Sequence, residues 1–98
     1  MKTGDILETD FGATMQLPVF YKVTKVTPKT VSMNRLVSTS VDGDGMIGHC
    51  VPTDVEDTDR YCGKMTARIR ENGTAWSAKN RLHFHPYNGK PAYYNHMD

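Results

Sequence analysis

Lys64, Arg68, Arg70, Lys79, Arg81, His83 and His85 fall in one short run of the chain, with residues of like type two or four positions apart. Residues at even spacing on a strand share a face. Cations gathered on one sheet face can track a phosphate backbone, and Trp76, Phe84 or Tyr87 would add stacking surface where exposed. The plainer reading is that these charges solvate the outside of a small protein while Trp76 fills its core, since exposed Lys and Arg are the rule on any surface.

A second cluster is acidic: Asp42, Asp44, Asp54, Glu56, Asp57 and Asp59 lie within residues 40–61. Such a segment can imitate a phosphate backbone and occupy a basic channel of a partner; as a plain feature it is a solvated loop. Asp42-Gly43-Asp44-Gly45 hints at calcium, yet Thr53 stands where the twelfth position of a calcium loop needs Glu. His49, Cys50, Cys62, His83 and His85 are zinc-ligand types, but their spacing is not that of a finger, and the plainer reading is two free thiols and surface histidines. Cys50 beside His49 would point to the opposite face of a strand, and no glycine-rich phosphate loop or paired-carboxylate motif is present. No enzymatic activity and no cofactor is therefore expected.

The elements that must position these residues read as strands. Asn72-Gly73, flanked by alternating runs, predicts a hairpin with a two-residue primed turn. In that register Ile69 faces Trp76 and Ala67 faces Ala78 on a buried face, while Arg68 faces Ser77, Thr66 faces Lys79 and Lys64 faces Arg81 on a basic one. Residues 3–8 and 19–26 read as earlier strands, the second dense in β-branched and aromatic side chains. Thr27-Pro28-Lys29 turns the chain into residues 30–37, where Leu36 is out of phase with Val31 and Met33 and suggests a bulge near Asn34-Arg35. Residues 40–61 read as a long irregular acidic loop with a short strand at most over 46–51. After residues 86–91 bend the chain, 92–96 form a last strand. Five or six short strands without helical periodicity predict a mainly β single domain over residues 1–98, a small antiparallel barrel or strongly bent sheet of SH3-like or OB-like type.

The net charge of the 98 residues is +1, which gives no bulk drive toward nucleic acid or membrane. The distribution is uneven: residues 1–41 net +2, 42–62 net −5, and 63–98 net +4. If the acidic segment folds back across Arg68, Lys79 and Arg81, the basic face is internal electrostatics; if it folds away, that face is free. No long apolar run follows the first lysine, so the expectation is a soluble cytoplasmic protein that does not engage membrane. Cys50 and Cys62 then read as thiols, with a disulfide as the alternative should the protein be exported by another route.

The run Phe20-Tyr21-Lys22-Val23-Thr24-Lys25-Val26-Thr27-Pro28-Lys29-Thr30-Val31, with Gly4-Asp5-Ile6 before it, Val51-Pro52 in the middle and Asn88-Gly89-Lys90-Pro91-Ala92-Tyr93-Tyr94 near the end, resembles a family of small conserved proteins encoded in bacteriophages and mobile elements. Where such proteins carry a Trp-Gly-Tyr-Asp-Gln-Thr-Asn run, this chain has Phe11-Gly12-Ala13-Thr14-Met15-Gln16-Leu17, so a role of that loop does not carry over. The resemblance implies genetic context and no assigned chemistry. With the charge polarity, it leads to the expectation of a non-enzymatic binding protein, an inhibitor or modulator of a host machine such as a defence nuclease. The host or phage protein bound would meet the acidic loop or the basic face. A small nucleic-acid-binding barrel and a phage structural or assembly accessory are the alternatives.

Overall fold

The computed structural model describes residues 1–12, 16–43 and 45–95. They form eight strands and no helix: β1 (Ile6–Asp10), β2 (Pro18–Val26), β3 (Thr30–Gly43), β4 (Ile47–Glu56), β5 (Lys64–Ile69), β6 (Ala75–Ser77), β7 (Leu82–Pro86) and β8 (Ala92–Asn95). The order across the sheet is β2-β1-β7-β6-β5-β3-β4-β8, and a further β2–β3 pairing closes the first six into an antiparallel barrel. This is the expected small barrel, with two strands beyond the expected number.

Alternation builds the barrel interior. Val19, Tyr21 and Val23 of β2 and Val31 and Met33 of β3 point inward with Leu7, Met65, Ala67, Ala75 and Phe84. The Tyr21 and Phe84 rings meet edge to face at 5.5 Å, and the buried Tyr21 hydroxyl donates to the Cys62 carbonyl at 2.6 Å. A buried hydroxyl needs such a partner to offset its lost water.

Leu36 is out of phase for a different reason than a bulge at Asn34-Arg35. The β2–β3 register is continuous from Phe20↔Leu36 to Val23↔Met33 and shifts only between Val23 and Lys25, at the other end. Leu36 and Phe20 point outward from the barrel into a second apolar cluster with Cys50 and Tyr94, to which Ile6, Tyr87 and Ala92 add. The far half of β3, with β4 and β8, forms a three-stranded arm that covers this outside patch.

The acidic loop expected over residues 40–61 is mostly this arm. Its first residues end β3, and β4 runs for ten residues rather than a short stretch. Small inward residues, Gly48 and Cys50, alternate with His49 and Val51, and the covering strand β8 arrives from more than 40 residues further on. Two extra β4 residues are absorbed between the pairs Ser38↔Pro52 and Leu36↔Glu56. There the Thr53 hydroxyl donates to the Val37 carbonyl at 2.7 Å, a side-chain bond in place of a ladder bond. Asp44 lies outside the described residues, as do residues 13–15 of the Phe11–Leu17 run and His96 of the expected last strand.

The hairpin register differs from the expectation by one residue. Arg68 pairs with Trp76 and Ile69 with Ala75. The loop is Glu71-Asn72-Gly73, closed by the Gly73 amide donating to the Arg70 carbonyl at 3.2 Å and the Arg70 amide to the Thr74 carbonyl at 2.8 Å. Gly73 takes φ +84°, and Asn72 Oδ1 accepts from the Thr74 amide and hydroxyl at 3.1 and 2.6 Å. This is a three-residue loop with a left-handed third position, for which Asn-Gly is as suitable as for a primed turn. A one-residue slip exchanges the faces of every side chain on β6. Ala75 and Ser77 are buried, Ala78 is exposed, and Trp76 stands on the outside. The interior decides the matter: Ala75 faces Phe84 across β6–β7, and beside that ring and Tyr21 only a small side chain fits.

Candidate functional site

The outward slip of Trp76 assembles a surface the sequence did not place. On β5, exposed Lys64, Thr66 and Arg68 alternate with buried Met65 and Ala67. Trp76 pairs with Arg68 on one side and His83 on the other, so Arg68, Trp76 and His83 form one row across three strands. The indole lies over the His83 imidazole with centroids 4.3 Å apart and planes inclined by 39°. Arg70 follows directly after β5. Together with Glu71 and Asn72 at the rim, Arg68, Arg70 and Trp76 line an open concavity of about 580 Å³. A flat aromatic face beside two guanidinium groups is able to stack a base and neutralise its phosphates.

The expected opposition of Thr66 to Lys79 and Lys64 to Arg81 is replaced by a turn. β6 ends at Ser77, and residues 78–81 form a loop in which Arg81 takes φ 55°. The Ser77 hydroxyl and Asn80 side chain hold that loop, and the Asn80 amide donates to Cys62 Sγ at 3.4 Å. Lys79 and Arg81 are thus exposed on a turn rather than on a strand. Beyond the Arg68↔Trp76 pair, β5 and the β6–β7 turn diverge around a groove of about 490 Å³ whose walls include Tyr61, Lys64, Thr66, Lys79 and Asn80. His85 lies two residues beyond His83 on the same face and pairs with Glu8 of β1. Burial lifts the Glu8 carboxyl above its ordinary value; His85 opposes the rise and Asp10 adds to it.

The acidic groups are occupied elsewhere. Asp42 accepts from the His49 main-chain amide at 2.8 Å and meets its Nδ1 at 3.0 Å, Asp57 lies 3.7 Å from Arg60, and Glu56 accepts from the Asn34 amide at 2.9 Å. Asp54 and Asp59 are exposed. Among the described residues no carboxylate forms an ion pair with Lys64, Arg68, Arg70, Lys79 or Arg81. Glu56, bonded to Asn34, comes beside Lys64, which pairs with Asn34 across β3–β5, yet none of these carboxylates reaches ion-pair distance of the face.

The zinc-ligand types are scattered. His49 and Cys50 sit on opposite faces of β4, the first stacked edge to face on Tyr93 and the second buried in the outer cluster. Burial, and secondarily Glu8, raise the Cys50 thiol pKa. Cys62 belongs to the turn before β5, and both cysteines are free. Among the described residues no three His, Cys, Asp or Glu side chains converge as a metal site would require. A more apolar cleft of about 430 Å³ lies between barrel and arm, where Phe11, Leu17, Cys50 and Tyr94 meet Arg35 and Arg60.

The sequence groups Arg68, Arg70 and His83 on one face and offers Trp76 as stacking surface there only if exposed, while the two-residue-turn register puts it inside; the structure sets it between Arg68 and His83. The signal was present in Thr74, two residues after Asn72, which favours the side-chain-braced longer loop. No protein family matches the chain, and neither curated proteins nor solved structures yield a match.

Proposed function

We propose that this protein binds single-stranded nucleic acid on the outer face of β5, β6 and β7. The observation that supports this reading is the outward Trp76, braced on His83 and flanked by Arg68, with Arg70 beside it. Every base has a face that stacks on an indole, so such a platform is tolerant of sequence, and it needs bases that are not already stacked in a duplex. Trp76 is the chain's one tryptophan, so its fluorescence reports directly on the site. Titration with an eight-nucleotide oligothymidylate at low salt is expected to quench that emission, and Arg68→Ala to weaken binding several-fold. Emission unchanged at every oligonucleotide concentration would overturn the reading.

A second reading concerns the arm. Val55 is 60 % and Val41 52 % exposed, and they are interleaved with Asp42, Asp54 and Glu56. Strands that expose carboxylates and aliphatic groups in turn suit a basic protein surface, such as the nucleic-acid channel of a host nuclease, and in this form the resemblance to phage-encoded proteins acquires a role as an inhibitor. Stoichiometric capture of one protein from nuclease-treated host lysate, lost in an Asp54→Asn/Val55→Ser variant, is the expected outcome. Equal capture by that variant would remove the arm from consideration.

A further inference from the structure

The barrel wall is incomplete between β5 and β6. The ladder there has two pairs, Arg68↔Trp76 and Ile69↔Ala75. Main-chain polarity on β5 follows from three hydrogen bonds: the Ile69 amide donates to the Lys29 carbonyl at 2.8 Å, and the Gly63 carbonyl accepts from the Arg35 amide at 2.7 Å, both toward β3, whereas the Arg70 amide donates to Thr74 on the β6 side. Consecutive strand residues direct their N–H and C=O groups to opposite edges. Residues 63, 65, 67 and 69 therefore face β3, and Lys64 and Thr66 face the seam.

At the seam their counterparts have already left the sheet. The continued register would bring Ala78 opposite Thr66, but the chain from 78 to 81 is a turn. What stands there is the groove lined by Lys64, Thr66, Lys79 and Asn80, with the side chain of Tyr61, 80 % exposed, at its margin. This groove and the concavity at Trp76 are lined by successive stretches of β5, and both hold cations that pair with no carboxylate among the described residues.

We infer that this open seam is the second half of the nucleic-acid site: a single strand lies along β5 from Trp76 to Tyr61, its phosphates on Lys64 and Lys79 and a nucleotide against the main-chain groups of Thr66. The inference rests on the reading of Trp76 as a stacking platform and adds a path and a length. From Arg70 to Lys64 the strand covers about 20 Å at the usual rise per residue. That length holds roughly four nucleotides, the lower end of the footprints of small barrels on single strands. Backbone donors and lysines in a groove with an aromatic at each end suit an alternation of phosphates and bases, whereas an extended peptide would find only two main-chain residues to pair with.

Two measurements test this. In amide hydrogen exchange, Thr66 and Lys64 are expected to exchange fast and Met65 and Ala67 slowly in the free protein, and an eight-nucleotide oligothymidylate to slow the first pair at least tenfold. In Trp76 fluorescence, affinity is expected to climb at least tenfold between two and four nucleotides and then level. A Tyr61→Ala/Lys79→Gln variant should lose that climb while binding the dinucleotide as before. Slow exchange at Thr66 without oligonucleotide would show a closed seam and overturn the inference, as would a length dependence unaffected by the double variant. Absence of quenching by any oligonucleotide would instead remove the platform reading itself. Competition by a polyglutamate peptide equal to that of the oligonucleotide would also overturn the inference, by making the groove a peptide or polyanion site.

Discussion

Trp76 carries a prediction that separates its position from its chemistry. A tryptophan inside a barrel costs about 3–5 kcal/mol when cut to alanine, because it leaves a cavity. On the outer face, resting on His83, the same change is expected to cost less than about 1.5 kcal/mol in urea denaturation while lowering oligonucleotide affinity about tenfold. Glu8 gives a pH-dependent counterpart. Burial raises its carboxyl above the ordinary 4.5, so the folded protein holds that proton more tightly than the unfolded chain does. Ionised Glu8 therefore costs stability above the raised value, and the cost vanishes below 4.5, where both states are protonated. Glu8→Gln is expected to raise the melting temperature at neutral pH and leave it unchanged at pH 3, measured by thermal circular dichroism. At this scale Arg68, Arg70 and His83 could be read from the chain because spacing alone puts exposed cations together. Trp76 could not, since an apolar side chain in an alternating run reads as core until Phe84 is known to face its neighbour Ala75 and to fill the interior there.

At the scale of elements, what reads well is what is held by its own alternation. β2 and the first half of β3 are dense in β-branched residues on clean alternate faces, and they lie where periodicity put them. The arm was not legible, because its composition is that of a loop and what makes it a sheet is distant: β8 pairs with it and Tyr94 fills its inner face. Gly48 shows how close that packing is, since a methyl group there would collide with the Asp42 carbonyl. The β5–β6 hairpin invites a direct trial of register. Deleting Glu71 leaves Arg70 and Thr74 flanking a two-residue Asn-Gly turn, with the pairs Arg68↔Trp76 and Ile69↔Ala75, and so the faces, unchanged. Asn-Gly suits that turn as well as the longer loop, so a change of less than about 1 kcal/mol is expected on denaturant unfolding. A loss of about 3 kcal/mol or more would mean that the third loop residue is needed to hold the register.

Over the whole molecule the small net charge conceals a separation. Asp42 pairs with His49 within the arm, Asp57 with Arg60 after it, and Glu56 bonds Asn34 beside Lys64, while Lys64, Arg68, Arg70 and Lys79 pair with no carboxylate among the described residues. If Lys64, Arg68, Arg70 and Lys79 each displace one counterion from a single strand, the logarithm of affinity should fall with that of salt concentration with a slope of about −3. A slope near zero in the Trp76 titration would put the binding on apolar contact instead. The barrel's closure has a bearing on how the protein comes to exist at all. β1 is bordered by β2, which follows it closely, and by β7, where Leu7 meets Pro86. A nascent chain still lacking its last quarter therefore has β1 with one edge bare and β5 without its hairpin partner, two sticky borders open together. Folding must wait on that late encounter, so refolding in stopped-flow fluorescence is expected on roughly the millisecond-to-second scale of sheets closed by distant strands. Ribosomal pausing before β7 is synthesised would be the moment of greatest exposure to aggregation.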